Sequence, residues 1–203
     1  MSPPRTTLPR LDAYLAALPR GLASHPACLA KGALVRNAFE DVPAIASRAA
    51  ELPPELGQLL REPPLGGEWV PEVHFVALFH AVNDLLGLDP AAATLRARER
   101  NRVLFESATY RILMAVFSPA TLMRFAGKRW DNFHRGSTLE VAGAADDGVR
   151  VVLGFPMALF DAPVLEAFGQ SFAAALELSG ARNPETQIER MSGMECRYRM
   201  IWE

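Results

Sequence analysis

The spacing of apolar residues changes from three or four to two near residue 137, and this change restricts the fold more than any other feature of the 203-residue chain. The clearest case is the final stretch MECRYRMIWE. Its apolar side chains fall on one parity, at Met194, Cys196, Tyr198, Met200 and Trp202. Because side chains alternate across a strand, this pattern is typical of a strand with one buried face. We therefore predict that the chain ends in an amphipathic β-strand.

Two β-hairpins are predicted in the last third of the chain. STLEVAG and VRVVLGF flank a turn at Asp147–Gly148, and TQIERM and ECRYRMIW flank a turn at Ser192–Gly193. Between them, Asp161 is a candidate N-cap of a helix that stops at Ser179–Gly180. The apolar stripe of this helix requires a sheet face to pack on. The order hairpin, helix, hairpin therefore predicts an antiparallel sheet of about four strands.

The segments before residue 137 are mainly helical in pattern. A short helix is predicted near Leu11–Leu18, and two more are separated by Pro53–Pro54. CLAKGALVRNAF fits either a strand or a helix. The strongest helical pattern, EWVPEVHFVALFHAVNDLLG, carries apolar residues three and four apart at Val73, Val76, Phe79, Val82, Leu85 and Leu86. Another helix starts after Asp89–Pro90.

These elements predict an α/β fold of the α+β kind, in which a helical N-terminal half packs on the antiparallel sheet. We assign residues 1–27 to an N-terminal extension with a short helix. Residues 28–203 are assigned to a single α+β domain of ligand-binding type.

Composition narrows the class of protein. Half of the residues are hydrophobic, 22% are charged and the net charge is -2, which indicates a soluble globular protein rather than a nucleic-acid or membrane-surface binder. No segment is long and apolar enough to span a membrane. Cys28 and Cys196 lack the CxxC spacing and favour two free thiols in a reducing compartment. We expect a cytoplasmic protein.

Catalytic motifs are missing from the sequence, which has no GxSxG, no HExxH and no glycine-rich phosphate loop. His74 and His80 lie six residues apart on one helix and so point to different sides, which excludes a metal pair on that helix. Large apolar residues suited to a ligand pocket are Phe79, Phe105, Tyr110, Met114, Phe117 and Trp130. Such residues also fill ordinary cores, and the sequence pattern alone leaves both interpretations open.

A family resemblance favours the pocket. SPATLMRFAGKRWDNFHRGSTLEV, VVLGFP, LELSGARN and CRYRMIW resemble bacterial domains of the 4-vinyl reductase type. That group is similar to haem–nitric-oxide-binding domains and to subunits of the TRAPP trafficking complex, and includes bacterial proteins of about this length with no assigned activity. The resemblance covers Lys31 to Trp202. It implies helices on an antiparallel sheet, frequent dimerisation, and a pocket that holds a small molecule, a haem or an acyl chain.

The sequence departs from this family at two places. Only Cys196 matches the cysteines of the family's zinc site, and Met191 stands where another thiolate is expected, so we predict no structural zinc. The haem-binding relatives carry a Y-x-S-x-R signature, whereas ESATYRIL contains Tyr110 and Arg111 without that spacing. We therefore expect no cofactor. Cys28 is a candidate for acylation only through the TRAPP resemblance.

The sequence thus predicts a non-catalytic small-molecule-binding or sensory module with an apolar pocket between helices and sheet. Its output would pass through a protein partner, and a homodimer is compatible with the resemblance. The alternative is a protein-interaction or trafficking scaffold of the same fold with a filled core.

Overall fold

The computed structural model describes residues 7–107, 111–112, 116–145 and 148–203. The chain forms two compact units, Met1–Asp89 and Pro90–Glu203. Among the described residues, no helix combines the length and the apolar character needed to cross a bilayer.

The first unit is mainly helical. Its elements are α1 (Pro9–Ala17), a 3-10 turn (Gly21–Ala23), β1 (Leu29–Lys31), α2 (Gly32–Asn37), a 3-10 helix (Pro43–Glu51), α3 (Pro54–Arg61), β2 (Trp69–Pro71) and α4 (Glu72–Leu85). β1 and β2 pair antiparallel. The ambiguous segment CLAKGALVRNAF contains both a short strand and a short helix.

The predicted helix in EWVPEVHFVALFHAVNDLLG is shorter than its pattern indicated. Trp69–Pro71 form β2, since their backbones pair with β1, and the helix begins at Glu72. The predicted buried stripe also needs correction, because Phe79 is only half-buried and Leu86 is exposed. α4 is instead buried on several sides, and Leu78, Ala77 and His80 lie in the core with the stripe valines.

Helix α1 packs within the first unit. The backbone N–H groups of Arg10 and Leu11 donate to Asp84 Oδ2 on α4 at 2.9 and 3.1 Å. Leu11 and Tyr14 are buried. The segment that was predicted as an extension is thus attached to the unit's central helix, while the boundary at residue 28 stays a prediction.

The second unit combines helices with the main sheet. Its elements are α5 (Pro90–Glu106), α6 (Pro119–Lys128), a 3-10 turn (Trp130–Asn132), β3 (His134–Arg135), β4 (Thr138–Ala145), β5 (Gly148–Gly154), α7 (Ala162–Leu178), β6 (Glu185–Met191) and β7 (Glu195–Ile201). β4 to β7 form one antiparallel sheet in the order β4-β5-β7-β6. The predicted α+β class and the order hairpin, helix, hairpin are confirmed.

One face of this sheet is buried, with α7 packed on β6 and β7 and α6 packed on β4 and β5. The buried side chains are Leu139, Val149, Val151, Leu153, Cys196, Tyr198 and Met200. Tyr198 Oη donates to the carbonyl oxygen of Leu165 on α7 at 2.8 Å. A Cβ at Gly169 of α7 would lie 3.5 Å from Tyr198 Cε1, which is an ordinary packing distance between helix and strand. α7 also contacts α5.

The capping residues at the two ends of α7 are those that the sequence predicted. Asp161 Oδ1 accepts a hydrogen bond from the Val164 N–H at 3.3 Å, and Gly180 follows the helix with a φ of 98°. The first hairpin differs in one detail. Gly148 already belongs to β5, opposite Ala145, and Asp147 lies outside the described residues.

Candidate ligand-binding sites

The structure distributes the six predicted pocket residues over separate places. Phe105 and Phe117 pack against a cluster formed by Leu122 and Ala175 in the second unit. Phe79 lies on α4 of the first unit. Tyr110 and Met114 lie outside the described residues.

Trp130 belongs to an aromatic cluster of the second unit. Its ring stacks on His134 with 4.3 Å between centroids and meets the edge of Phe168 at 5.9 Å. Trp130 Nε1 donates to Ser137 Oγ at 3.0 Å. Phe160 continues the cluster at 5.1 Å from Phe168. Because all of these rings are buried and interlocked, they contribute to the core of this unit.

The buried surface of α4 includes polar side chains. His80 is 1% exposed, and its ring lies 5.2 Å from Tyr14 and 5.4 Å from Phe79 between centroids. Asn83 follows one turn later. Its amide nitrogen and oxygen are buried without a hydrogen-bond partner among the described residues. An unsatisfied buried amide of this kind costs about 1–3 kcal/mol, so Asn83 is a site where an ordered water would be stabilising.

A groove of about 520 Å³ lies on the surface of the first unit. Its lining comes from α3, β2, the loop between them and the first turn of α4, and comprises Glu55, Gln58, Leu59, Glu62, Pro64, Glu68, Trp69, Val70, Pro71 and His74. The α3 residues recur at spacings of three, four and seven, which places them on one side of the helix. Sequence reasoning missed this groove, although its members all lie within residues 55–74, because no local pattern shows that α3 lies beside β2 and the start of α4. The only signal was the polar face of α3.

The groove is negatively charged. Glu55, Glu62 and Glu68 line it, and in the described part of the chain none of the three forms an ion pair. Burial lowers the pKa of His74, although the charge of Glu55 and a hydrogen bond to the Leu22 backbone oppose that shift. His74 is therefore neutral at pH 7 and does not offset the carboxylates.

The indole ring of Trp69, which lines the groove, contacts the side-chain ammonium group of Lys31. Lys31 Nζ lies 3.9 Å from the centroid of the Trp69 ring and donates to the carbonyl oxygen of Gly67 at 2.9 Å. This is a cation–π contact. Lys31 is not part of the groove lining, whereas Trp69 is.

Both cysteines are buried and their thiols are poor nucleophiles. Burial raises the pKa of Cys28, and the charge of Glu72 raises it further. Burial also raises the pKa of Cys196, against a smaller opposite effect of its hydrogen bond with Tyr198. A raised pKa lowers the thiolate fraction on which nucleophilic and metal-binding chemistry depends. Among the residues that the structure describes, no group of three or more histidine, cysteine or acidic side chains is arranged to hold a metal ion.

The fold of the chain is similar to that of H-NOX domains in solved structures. The unliganded Fe(II) H-NOX protein of K. algicida is 12% identical, with a TM-score of 0.60 over 85% of this chain and 96% of that chain. An oxygen-binding H-NOX domain related to soluble guanylate cyclases is 10% identical, with a TM-score of 0.59 over 85% of this chain and 92% of that chain.

A mutant H-NOX structure from T. tengcongensis is also similar, with 10% identity and a TM-score of 0.56 over 85% of this chain and 94% of that chain. At this level of identity the likeness shows the fold. The sequence itself matches no family model and no curated protein.

Proposed function

We propose that the protein is a non-catalytic, small-molecule-binding module of the sensory type. The observation that carries this proposal is the H-NOX fold, which extends over 85% of the chain and 96% of the K. algicida structure. One of the similar structures is an oxygen-binding domain. A module of this kind passes its signal to a protein partner, because a domain that binds a ligand without catalysing a reaction has an effect only when another molecule recognises its bound state.

The proposed pocket is apolar and lies between the helices and the sheet of the second unit. Phe105 and Phe117 support it, since both are only partly buried beside Leu122 and Ala175 and therefore keep apolar surface available for a ligand. Tyr110 and Met114, also predicted for the lining, lie between these two phenylalanines in the sequence and outside the described residues. Phe79, on α4 of the first unit, and Trp130, in the buried aromatic cluster, were also predicted for the lining, but their positions do not support a place in this pocket.

Haem does not fit at His74, His80 or His134. Both ring nitrogens of His80 are buried, so neither faces open space for an iron atom. His134 is 4% exposed and stacks against Trp130. His74 lies in a groove lined by three glutamates, which would repel the anionic propionates of a haem. We therefore propose an apolar or amphipathic ligand other than haem.

Native mass spectrometry of freshly purified protein tests the pocket directly. We expect an additional bound mass in the native protein and less of it in Phe105→Trp and Phe117→Trp, whose larger rings occupy ligand space. Phe133→Trp, at a half-buried phenylalanine that does not belong to the Phe105–Phe117 cluster, is the matched control. Failure to find any bound mass, together with no thermal shift across a set of apolar ligands, would contradict the proposal. A stoichiometric Soret band on titration with haemin would contradict the exclusion of haem.

One observation favours the alternative of a protein-interaction scaffold. Four large apolar residues on or after α5 are strongly exposed, at Leu95, Val103, Ile112 and Val116. Exposed large apolar side chains that share one surface are typical of an interface. If this alternative holds, Leu95→Glu combined with Ile112→Glu will lower the mass measured by light scattering from dimer to monomer, and the native protein will carry no bound mass.

A further inference from the structure

We propose that three methionine thioethers at one end of the main sheet bind a soft monovalent metal ion, Cu(I). The site is distinct from the pocket of the proposed function and does not depend on it. Its ligands are Met157, in the loop after β5, and Met191 and Met194, on either side of the turn between β6 and β7.

The first observation is the exposure of these side chains. Met157 and Met194 are 56% exposed and Met191 is 39% exposed, whereas Met123 and Met200 are buried. Methionine is an apolar residue that usually lies in the core. Exposed apolar residues that are scattered singly are normal, but these three come from two separate segments and meet at one turn.

The second observation is that the backbone fixes the Met157 loop on this turn. The Phe155 N–H donates to the carbonyl oxygen of Met194 at 3.0 Å, and the Ala158 N–H donates to that of Gly193 at 3.2 Å. Met157 lies between these two anchors. Its thioether is therefore held beside the turn from both sides.

The third observation is that two residues are adapted to the position of this sulfur. A Cβ at Gly193 would collide with Met157 Sδ, so the sulfur occupies the place where a side chain of residue 193 would project. Ala158 has a φ of 61°, a left-handed conformation that a residue with a Cβ rarely adopts. Strained residues of this kind cluster at ligand-binding segments.

The strand pairing brings the other two thioethers to the same side. Met191 lies directly opposite Cys196 in the ladder, so both side chains project to the buried face of the sheet. Met194 precedes Cys196 by two residues and has the same parity. Met157 Sδ covers Gly193, which stands between the two methionines in the turn. The three thioethers therefore converge at this end of the sheet.

The donor set determines which metal ion fits. Thioether sulfur is a soft ligand that selects Cu(I), whereas Mg²⁺ and Ca²⁺ prefer oxygen. A thioether has no proton to lose, so the site does not require a thiolate. Cys196 is completely buried beneath Met191 and is not needed as a ligand.

Anaerobic titration of the full chain with Cu(I), with ascorbate as the reductant, tests this inference. NMR of protein labelled with carbon-13 at the methionine methyl groups reports each thioether separately. We expect the methyl signals of Met157, Met191 and Met194 to shift together and to saturate at one equivalent of Cu(I). The signals of Met123 and Met200 should stay in place, and Mg²⁺ should shift none of the five.

Leucine variants test each ligand, because leucine keeps the volume of methionine and removes the sulfur. Met157→Leu, Met191→Leu and Met194→Leu should each weaken Cu(I) binding by at least about tenfold, since even the outer-shell partners of metal ligands contribute that much. The triple variant should not bind. Met123→Leu, at a buried methionine of α6, is the matched control and should leave the affinity unchanged. Circular dichroism melts of each variant establish that the fold is intact.

The inference is overturned if Cu(I) shifts no methionine methyl signal, or if the shifts fall on Met123 or Met200. It is also overturned if the triple leucine variant binds Cu(I) as tightly as the native protein, because the cysteine thiols would then hold the ion.

Discussion

Tyr198 shows at the scale of one residue how the terminal strand is attached to the second unit. Its side chain is completely buried, its hydroxyl donates to Leu165, and its ring meets the edge of Phe172 at 5.3 Å between centroids. The alternation of MECRYRMIWE predicted that this side chain points inward. It did not predict the hydrogen-bond partner, because that partner is a backbone carbonyl in a distant helix.

Replacing Tyr198 with phenylalanine should lower the free energy of unfolding by about 1 kcal/mol. The change keeps the ring but removes the donor, and a net contribution of this order is usual for a buried hydrogen bond. Urea denaturation measures the effect. Arg199→Gln, on the exposed face of the same strand, should change the free energy by less than about 0.5 kcal/mol. Equal unfolding midpoints for Tyr198→Phe and the native protein would contradict the role assigned to the hydroxyl.

The same residue predicts how stability depends on alkaline pH. Burial raises the pKa of Tyr198 in the folded state, with smaller contributions from Cys196. Below the unfolded pKa near 10, both states are protonated and the stabilising contribution is complete. Above that pH the unfolded phenol ionises first, so stability is lost as pH rises, by up to about 1.4 kcal/mol per pH unit.

Tyr198→Phe should therefore show a shallower loss of stability than the native protein above about pH 10. The Cys28 thiol titrates in both proteins and cancels, whereas the Cys196 thiol loses its hydrogen bond with Tyr198 in the variant. The difference between the two curves therefore reports the tyrosine together with its effect on Cys196. Parallel curves above pH 10 would show that the phenol ionises equally well in both states.

At the scale of elements, local sequence patterns predicted the two hairpins. They also predicted the helix that begins and ends at clear capping residues. Asp161 and Gly180 bound α7 because capping depends on the residue itself and its immediate neighbours. Trp69–Pro71 were assigned to a helix because their apolar character continues into α4. Their true state depends on pairing with Leu29–Lys31, nearly forty residues earlier, and no local pattern contains that information.

The structure predicts opposite effects on stability when either of two helical glycines is replaced by alanine. In α7, a Cβ at Gly169 would lie 3.4 Å from Thr186 Cγ2, an ordinary contact. Gly169→Ala should therefore raise the free energy of unfolding by about 0.5–1 kcal/mol through helix propensity. In α3, a Cβ at Gly57 would lie 2.4 Å from the carbonyl oxygen of Ala49, so Gly57→Ala should be destabilising.

Thermal melts of the two alanine variants provide the comparison. Each variant is the control for the other, because both add one methyl group to a helix of the same chain. We expect the melting temperature to rise for Gly169→Ala and to fall for Gly57→Ala. Changes of the same sign would contradict the helix–strand and helix–helix spacings that the structure shows.

At the scale of the whole molecule, the sequence predicted the class of fold better than the candidate sites. The class of fold follows from the order of helices and strands, and the spacing of apolar residues within each segment predicts which of the two it forms. A site depends on which segments meet. Phe105 and Phe117 do share a cluster, whereas Trp130 packs with His134 and Phe168. The acidic groove was missed for the same reason, since isolated glutamates are indistinguishable from an ordinary solvated surface.

Removing the last six residues should give insoluble protein. The deletion takes away most of β7, which lies between β5 and β6 and bonds to both, so the loss exposes two strand edges and the apolar face beneath α7. Deleting only Glu203 is the control. It removes backbone hydrogen bonds with Arg182 but leaves the strand intact, and should give soluble protein. If the six-residue truncation is soluble and melts cooperatively, the terminal strand does not stabilise the sheet in the way its central position requires.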